Sequence, residues 1–285
     1  LLNISDLFLI IFFSLTYNLI TSKRFLVVIN SKKFLNLKFI FWNSYFVKGQ
    51  ILGYLIPQSG VVYRAFILKE IHGFSYSKYT GLYILLISFE IFLLSLVFLL
   101  ISVLFFSNNN SSLYLAFIPI IYILLFTLVT LVSLFKFKFV IRLLKKIKFY
   151  WLKVIIIETQ IMFVRMLLYK KNLFLFIIFS ILKIIFGLAL YYLVLRLFES
   201  SIEFNQTVYF FTANQLFEPF KITPQNLGIM ELIFGIIAVQ VSLSIKIGIF
   251  VKVVLRLVDM ISLLVLLILQ KIFQIFLYNN KNSLL

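Results

Sequence analysis

Long apolar runs limit this chain more than any other feature. A helix needs ~20 apolar residues to cross the hydrocarbon core, and a spanning segment must satisfy its own backbone hydrogen bonds. Residues 4–21, 79–107, 113–135, 173–198 and 247–270 meet that requirement. With 63% apolar and 13% charged residues, the composition lies outside the soluble range. The expectation is an all-α integral membrane protein, a polytopic helical bundle with about five full spans. It should form a single transmembrane domain over residues 1–285, with no separate soluble domain. The chain starts at Leu1 without a methionine, so its N-terminus is expected to be nonstandard or incomplete. No basic residue precedes the first run and no small-residue cleavage site follows it, so it reads as a span and not a signal peptide.

The placement of lysine and arginine sets the orientation. Lys23, Arg24, Lys32 and Lys33 follow the first run, and Lys136, Lys138, Arg142, Lys145, Lys146, Lys148 and Lys153 follow the third. Both links are expected to be cytoplasmic. The uncharged NNNSS link and the link with Glu199 and Glu203 are expected outside, and the end bearing Lys271 and Lys281 inside. The location implied is the cell membrane, multi-pass, with a cytoplasmic C-terminus. The net charge of +18 then faces anionic headgroups and not nucleic acid. Cysteine is absent and His72 is the one histidine, which excludes thiolate or His-rich metal sites. Neither a cofactor nor a metal is expected.

Two apolar regions are interrupted. Residues 39–68 contain Lys48, Gly49, Gly53, Pro57 and Gly60, and residues 208–245 contain Glu218, Pro219, Lys221, Pro224 and Gly228. Proline removes a backbone donor and glycine tolerates unusual torsions, so both regions read as broken helices. The topology closes if each is a re-entrant hairpin, the first dipping in from the cytoplasm and the second from outside. Opposed hairpins of this kind are similar to the inverted-repeat plan of many transporters. Residues 154–168, with Glu158 and Arg165, read as one interfacial helix.

The stretch TPQNLGIMELIFG, residues 223–235, carries most of the candidate chemistry. Pro224 ends one helix, and Asn226 is placed to cap the next. A helix N-terminus at membrane depth attracts anions, and Glu231 falls in its first turns. Glu231 reads either as a functional carboxylate or as an answer to that dipole. Lys252, Arg256 and Asp259 form one stripe on the last span. Charges in an apolar helix must face protein or water, so the stripe is a headgroup pocket or a salt-bridge set that positions the hairpin. Arginine favours bidentate phosphate contact. Arg64 reads as a phosphate ligand at the cytoplasmic rim or as an interfacial anchor. Glu90 and Lys183 lie within spans and each needs a partner; they are candidates for a proton or ion-pair site.

These residues resemble the flippase-like transmembrane domain of the lysylphosphatidylglycerol synthases, as a stand-alone member. The family's first signature, roughly "lPg..Ge..R...L", appears as LIPQSGVVYRAFIL with Pro57, Gly60 and Arg64 in register. The second, roughly "tPggiG..E", appears as TPQNLGIME with Thr223, Pro224, Gly228 and Glu231 in register. Glu90 and Arg256 also match. Gln58 and Gln225 stand where the family has glycine, Val61 where it has glutamate, and Leu94 where an aspartate is frequent. Nothing in these residues corresponds to the aminoacyl-transferase domain.

The resemblance implies binding and translocation of amphipathic, phosphate-bearing lipids between leaflets. The substrate-binding set is then Arg64, Asn226, Glu231, Lys252, Arg256 and Asp259, and the structural motif is Pro57, Gly60, Thr223, Pro224 and Gly228. The partners expected are membrane lipids, with anionic headgroups at the cytoplasmic face, and either a second copy or a lipid-modifying enzyme. The alternatives are a membrane transferase on a lipid-linked substrate, or a non-catalytic partner of such an enzyme. Metal-assisted transferases usually pair their acids, and the nine acids here are scattered.

Overall fold

The computed structural model describes residues 4–30, 35, 37–105, 150–218 and 222–282. Every regular element among them is a helix. In chain order these are α1 (Ile4–Ile29), α2 (Phe39–Leu55), α3 (Ser59–His72), α4 (Tyr76–Phe105), α5 (Tyr150–Leu168), α6 (Lys170–Arg196), α7 (Phe204–Phe217), α8 (Ile229–Gln240) and α9 (Ile245–Asn282). A short 3-10 turn, Pro224–Asn226, separates α7 from α8. Among the described residues, three helical stretches are long and apolar enough to cross a membrane: Ile4–Ile29, Tyr76–Val97 and Lys170–Arg196. The expected span at 113–135, the links at 106–112 and 136–149, Lys32, Lys33, Pro219 and Lys221 lie outside the described residues.

The chain divides into two compact units. One comprises Val27–Asn36 and Ala65–Ser180. Within it α5 packs along α4. They approach closely at Gly81, where a Cβ would stand 2.8 Å from the Thr159 nitrogen. The rings of Phe89 and Phe176 meet edge to face at 5.1 Å. Glu90 lies half-buried on α4 of this unit.

The other unit comprises Leu1–Leu26, Leu37–Arg64 and Ile181–Leu285. Both interrupted regions expected from the sequence are broken helices here. In the first, α2 stops at Leu55, and Ile56 is extended (φ −131°, ψ 131°) because Pro57 excludes helical torsions from the residue before it. Gln58 then adopts φ 60°, and α3 starts at Ser59. The two helices touch through glycine: a Cβ on Gly60 would sit 2.2 Å from the Gly49 carbonyl oxygen. The second break has the same local logic. Thr223 is extended (φ −106°, ψ 166°) before Pro224, and Gln225 follows with φ 47°. Asn226 (φ 54°) continues the left-handed path, Leu227 leaves it (φ −59°), and Gly228 returns to positive φ (84°) before α8 begins.

Helix α8 folds back onto α9, where a Cβ on Gly248 would stand 2.2 Å from the Phe234 carbonyl oxygen. Helix α2 packs on α9 through Val47, Leu263 and Leu266, flanked by Leu15 and Leu19 of α1. Trp42 Nε1 donates to the Ser22 carbonyl at 2.8 Å and fixes α2 against α1. These contacts leave α1, α2, α6, α7, α8 and α9 around a polar interior.

Candidate functional site

That interior is a partly open cavity of about 110 Å³. Its wall includes Asn18 of α1, Tyr54 of α2, Lys183 of α6, Asn214 of α7, Glu218 at the end of α7, and Lys252, Arg256 and Asp259 of α9. The break itself contributes Gln225 and Asn226.

Helical spacing places Lys252, Arg256 and Asp259 on one face of α9, and each meets a different element. Asp259 accepts from Tyr54 OH at 2.6 Å through Oδ2 and from Asn18 Nδ2 at 2.8 Å through Oδ1. Ser262 extends the stripe, accepting from Ser14 Oγ and Asn18 Nδ2 at 3.0 Å each. Arg256 donates through Nη1 to Glu231 Oε1 and through Nη2 to the Gln225 carbonyl at 3.2 Å. The pair is mostly buried, with side-chain exposures of 15% for Arg256 and 13% for Glu231. Lys252 Nζ donates to Asn214 Oδ1 at 2.5 Å and lies over the Phe234 ring, 5.3 Å from its centroid.

Glu231 also accepts from the Gly228 N–H at 2.7 Å through Oε2. The carboxylate therefore caps its own helix and holds Arg256, and α8 is locked to α9. The expected capping role of Asn226 is taken by another contact. Its Oδ1 accepts from Ile222 N–H at 3.0 Å and its Nδ2 donates to the Phe217 carbonyl at 3.2 Å. Asn226 staples the two sides of the break, while Gly228 occupies the position before α8. Thr223 contributes a second staple, its Oγ1 donating to the Leu227 carbonyl at 2.9 Å.

Lys183 lines the same cavity, donating to Gln215 Oε1 at 3.0 Å and lying over the Tyr17 ring. Gln215 in turn donates to Tyr17 OH at 2.8 Å. Glu90, considered with Lys183 from the sequence, belongs to the other unit. Arg64 is placed apart from the cavity wall. It is 4% exposed, with its guanidinium over the rings of Phe46 (5.2 Å) and Phe25 (5.7 Å). A guanidinium buried over two rings has the geometry of cation–π packing.

Sequence reasoning missed Tyr17, Asn18, Tyr54, Asn214 and Gln215. The available signal was the placement of amides inside otherwise apolar helices, at Asn18 and at the Asn214–Gln215 pair. Glu218, which the sequence marks only as an interruption, borders the cavity.

Described residues whose regular elements are all helices, three of them fit to cross a bilayer, around a charged cavity define a membrane protein as the class. Comparisons with protein-family models, curated proteins and solved structures gave no match.

Proposed function

We propose that this protein binds the headgroups of phosphate-bearing lipids inside the membrane and carries them between leaflets. One observation carries the reading: three cationic side chains, Lys183, Lys252 and Arg256, converge on a single polar cavity between helices of one unit. Charged groups are costly at membrane depth and by default mark a functional site. A cavity of about 110 Å³ is small beside drug-sized pockets, which begin at roughly 300 Å³, and so suits a headgroup. The acyl chains would stay in lipid while cavity groups replace the water around the headgroup.

The topology that suits this function has about five spans, α9 among them, two re-entrant hairpins, and α5 near the cytoplasmic interface. Helix α7 has 14 residues and α8 has 12, lengths of ~21 and ~18 Å against a core of ~30 Å. Neither crosses alone. The two breaks also expose apolar side chains: Leu55 (69%) and Ile56 (60%) in one, Ile222 (74%) and Leu227 (61%) in the other. Loop tips facing water are normally polar, and tips facing lipid are not. A cell-membrane location with a cytoplasmic C-terminus belongs to the same proposal. So does membership of the flippase-like family. Its glycines fall at Gln58 and Gln225, the two residues that take positive φ immediately after each proline. Glycine suits that conformation best, which supports the resemblance.

Leaflet exchange tests the function. Proteoliposomes holding acyl-labelled phospholipids, quenched from outside, should lose signal from both leaflets with the native protein. Lys252→Met and Arg256→Ala should return exchange to the rate of protein-free vesicles. Native protein behaving like empty vesicles would refute the proposal.

A further inference from the structure

We propose that the cavity selects a zwitterionic headgroup, with the phosphate on Lys252 and a primary ammonium on Glu218. The inference rests on the lipid-binding reading above and names its substrate class. Around the cavity stand three cations, Lys183, Lys252 and Arg256, and three carboxylates, Glu218, Asp259 and the adjoining Glu231. The site is therefore close to neutral, and a neutral site is not complementary to a purely anionic ligand.

The charges are not all used alike. Glu231 is consumed by Arg256 and by the start of α8. Asp259 takes two neutral donors, Tyr54 and Asn18. Glu218 differs: its backbone N–H bonds to the Asn214 carbonyl at 2.8 Å, while its carboxylate has no hydrogen bond or ion pair among the described residues. Lys252 makes a hydrogen bond to Asn214 Oδ1 and forms no ion pair among the described residues. An ammonium carries three N–H donors, so the remaining pair can serve an incoming anion. Among the described residues, then, one cation and one carboxylate border the cavity without an ion pair. A phosphate with a short primary amine answers both. A headgroup with phosphate alone would place a second negative charge beside Glu218.

The test uses the purified full chain in detergent and short-chain lipids as probes, with binding read by calorimetry. Dihexanoyl-phosphatidylethanolamine should bind at least about tenfold tighter than dihexanoyl-phosphatidylglycerol, the scale of one charge-assisted hydrogen bond. Glu218→Gln should erase that preference by weakening only the ethanolamine lipid, and Glu218→Asp, which keeps the charge, should retain it. Lys252→Met should weaken both lipids. Glycerophosphoethanolamine, the same headgroup without chains, should bind at least about tenfold more weakly. Equal binding of it would make the ligand a soluble phosphoamine and overturn the lipid assignment. Equal or tighter binding of the glycerol lipid, or an effect of Glu218→Gln on both lipids alike, would overturn the zwitterion assignment while leaving headgroup binding intact. Failure of every lipid to bind saturably would overturn both.

Discussion

Replacing Arg256 by methionine isolates the contact that ties the broken segment to the last helix. The substitution leaves Glu231, 13% exposed, with the Gly228 N–H as its remaining hydrogen-bond donor among the described residues, and removes a donor from the Gln225 carbonyl. Stripping one partner from a buried ion pair costs ~3–5 kcal/mol, because the other charge stays buried and uncompensated. The guanidinium borders a cavity that water can enter, so the lower end, about 3 kcal/mol, applies. Glu231→Gln should cost a similar amount. The double variant Arg256→Met, Glu231→Gln buries neither charge and should lose less than the two singles summed, with a coupling of about 2 kcal/mol. Equilibrium unfolding in mixed detergent–SDS micelles, followed by fluorescence of the two tryptophans, measures all four corners. Single losses under about 0.5 kcal/mol that simply add would show that the pair does not hold α8 to α9.

Four further outcomes are expected. Gly60→Ala forces a Cβ to 2.2 Å from the Gly49 carbonyl oxygen and should destabilise the α2–α3 turn by about 1–3 kcal/mol in the same unfolding assay. Gly73→Ala, with φ 66° and no atom nearby, should cost only the left-handed torsion, about 1 kcal/mol. Gln58→Gly relieves a non-glycine residue at φ 60° and should be neutral or raise stability by up to about 1 kcal/mol; a clear loss would contradict the torsional account. Asp259→Leu leaves the Tyr54 hydroxyl and the Asn18 amide without their carboxylate and should lose at least about 2 kcal/mol, whereas Asp259→Asn should lose less.

Much of the local structure was legible because it depends on neighbours in sequence. Pro57 and Pro224 set the preceding residue extended wherever they stand, so both breaks could be read directly. The Lys252, Arg256, Asp259 stripe follows from helical periodicity alone. What these charges bind does not follow, because their partners lie on distant segments. Asp259 is met by Tyr54 and Asn18, and Lys252 by Asn214, choices made by tertiary packing. Arg64 shows the same limit: its neighbour in sequence is a broken helix, but its surroundings are Phe25 and Phe46. Asn226 had the right chemistry for a cap, and the left-handed turn aimed it across the break instead.

Depth in the bilayer decides whether the kinked polar segment works as proposed. Because the chain has no cysteine, a spin label can be placed on a single cysteine at position 227, between the 3-10 turn and α8, in protein reconstituted into vesicles. Relaxation by oxygen far exceeding that by a water-soluble nickel chelate, at a depth within the hydrocarbon core, is the result expected. A label relaxed mainly by the chelate, as on a loop bathed in water, would contradict a headgroup cavity held inside the membrane.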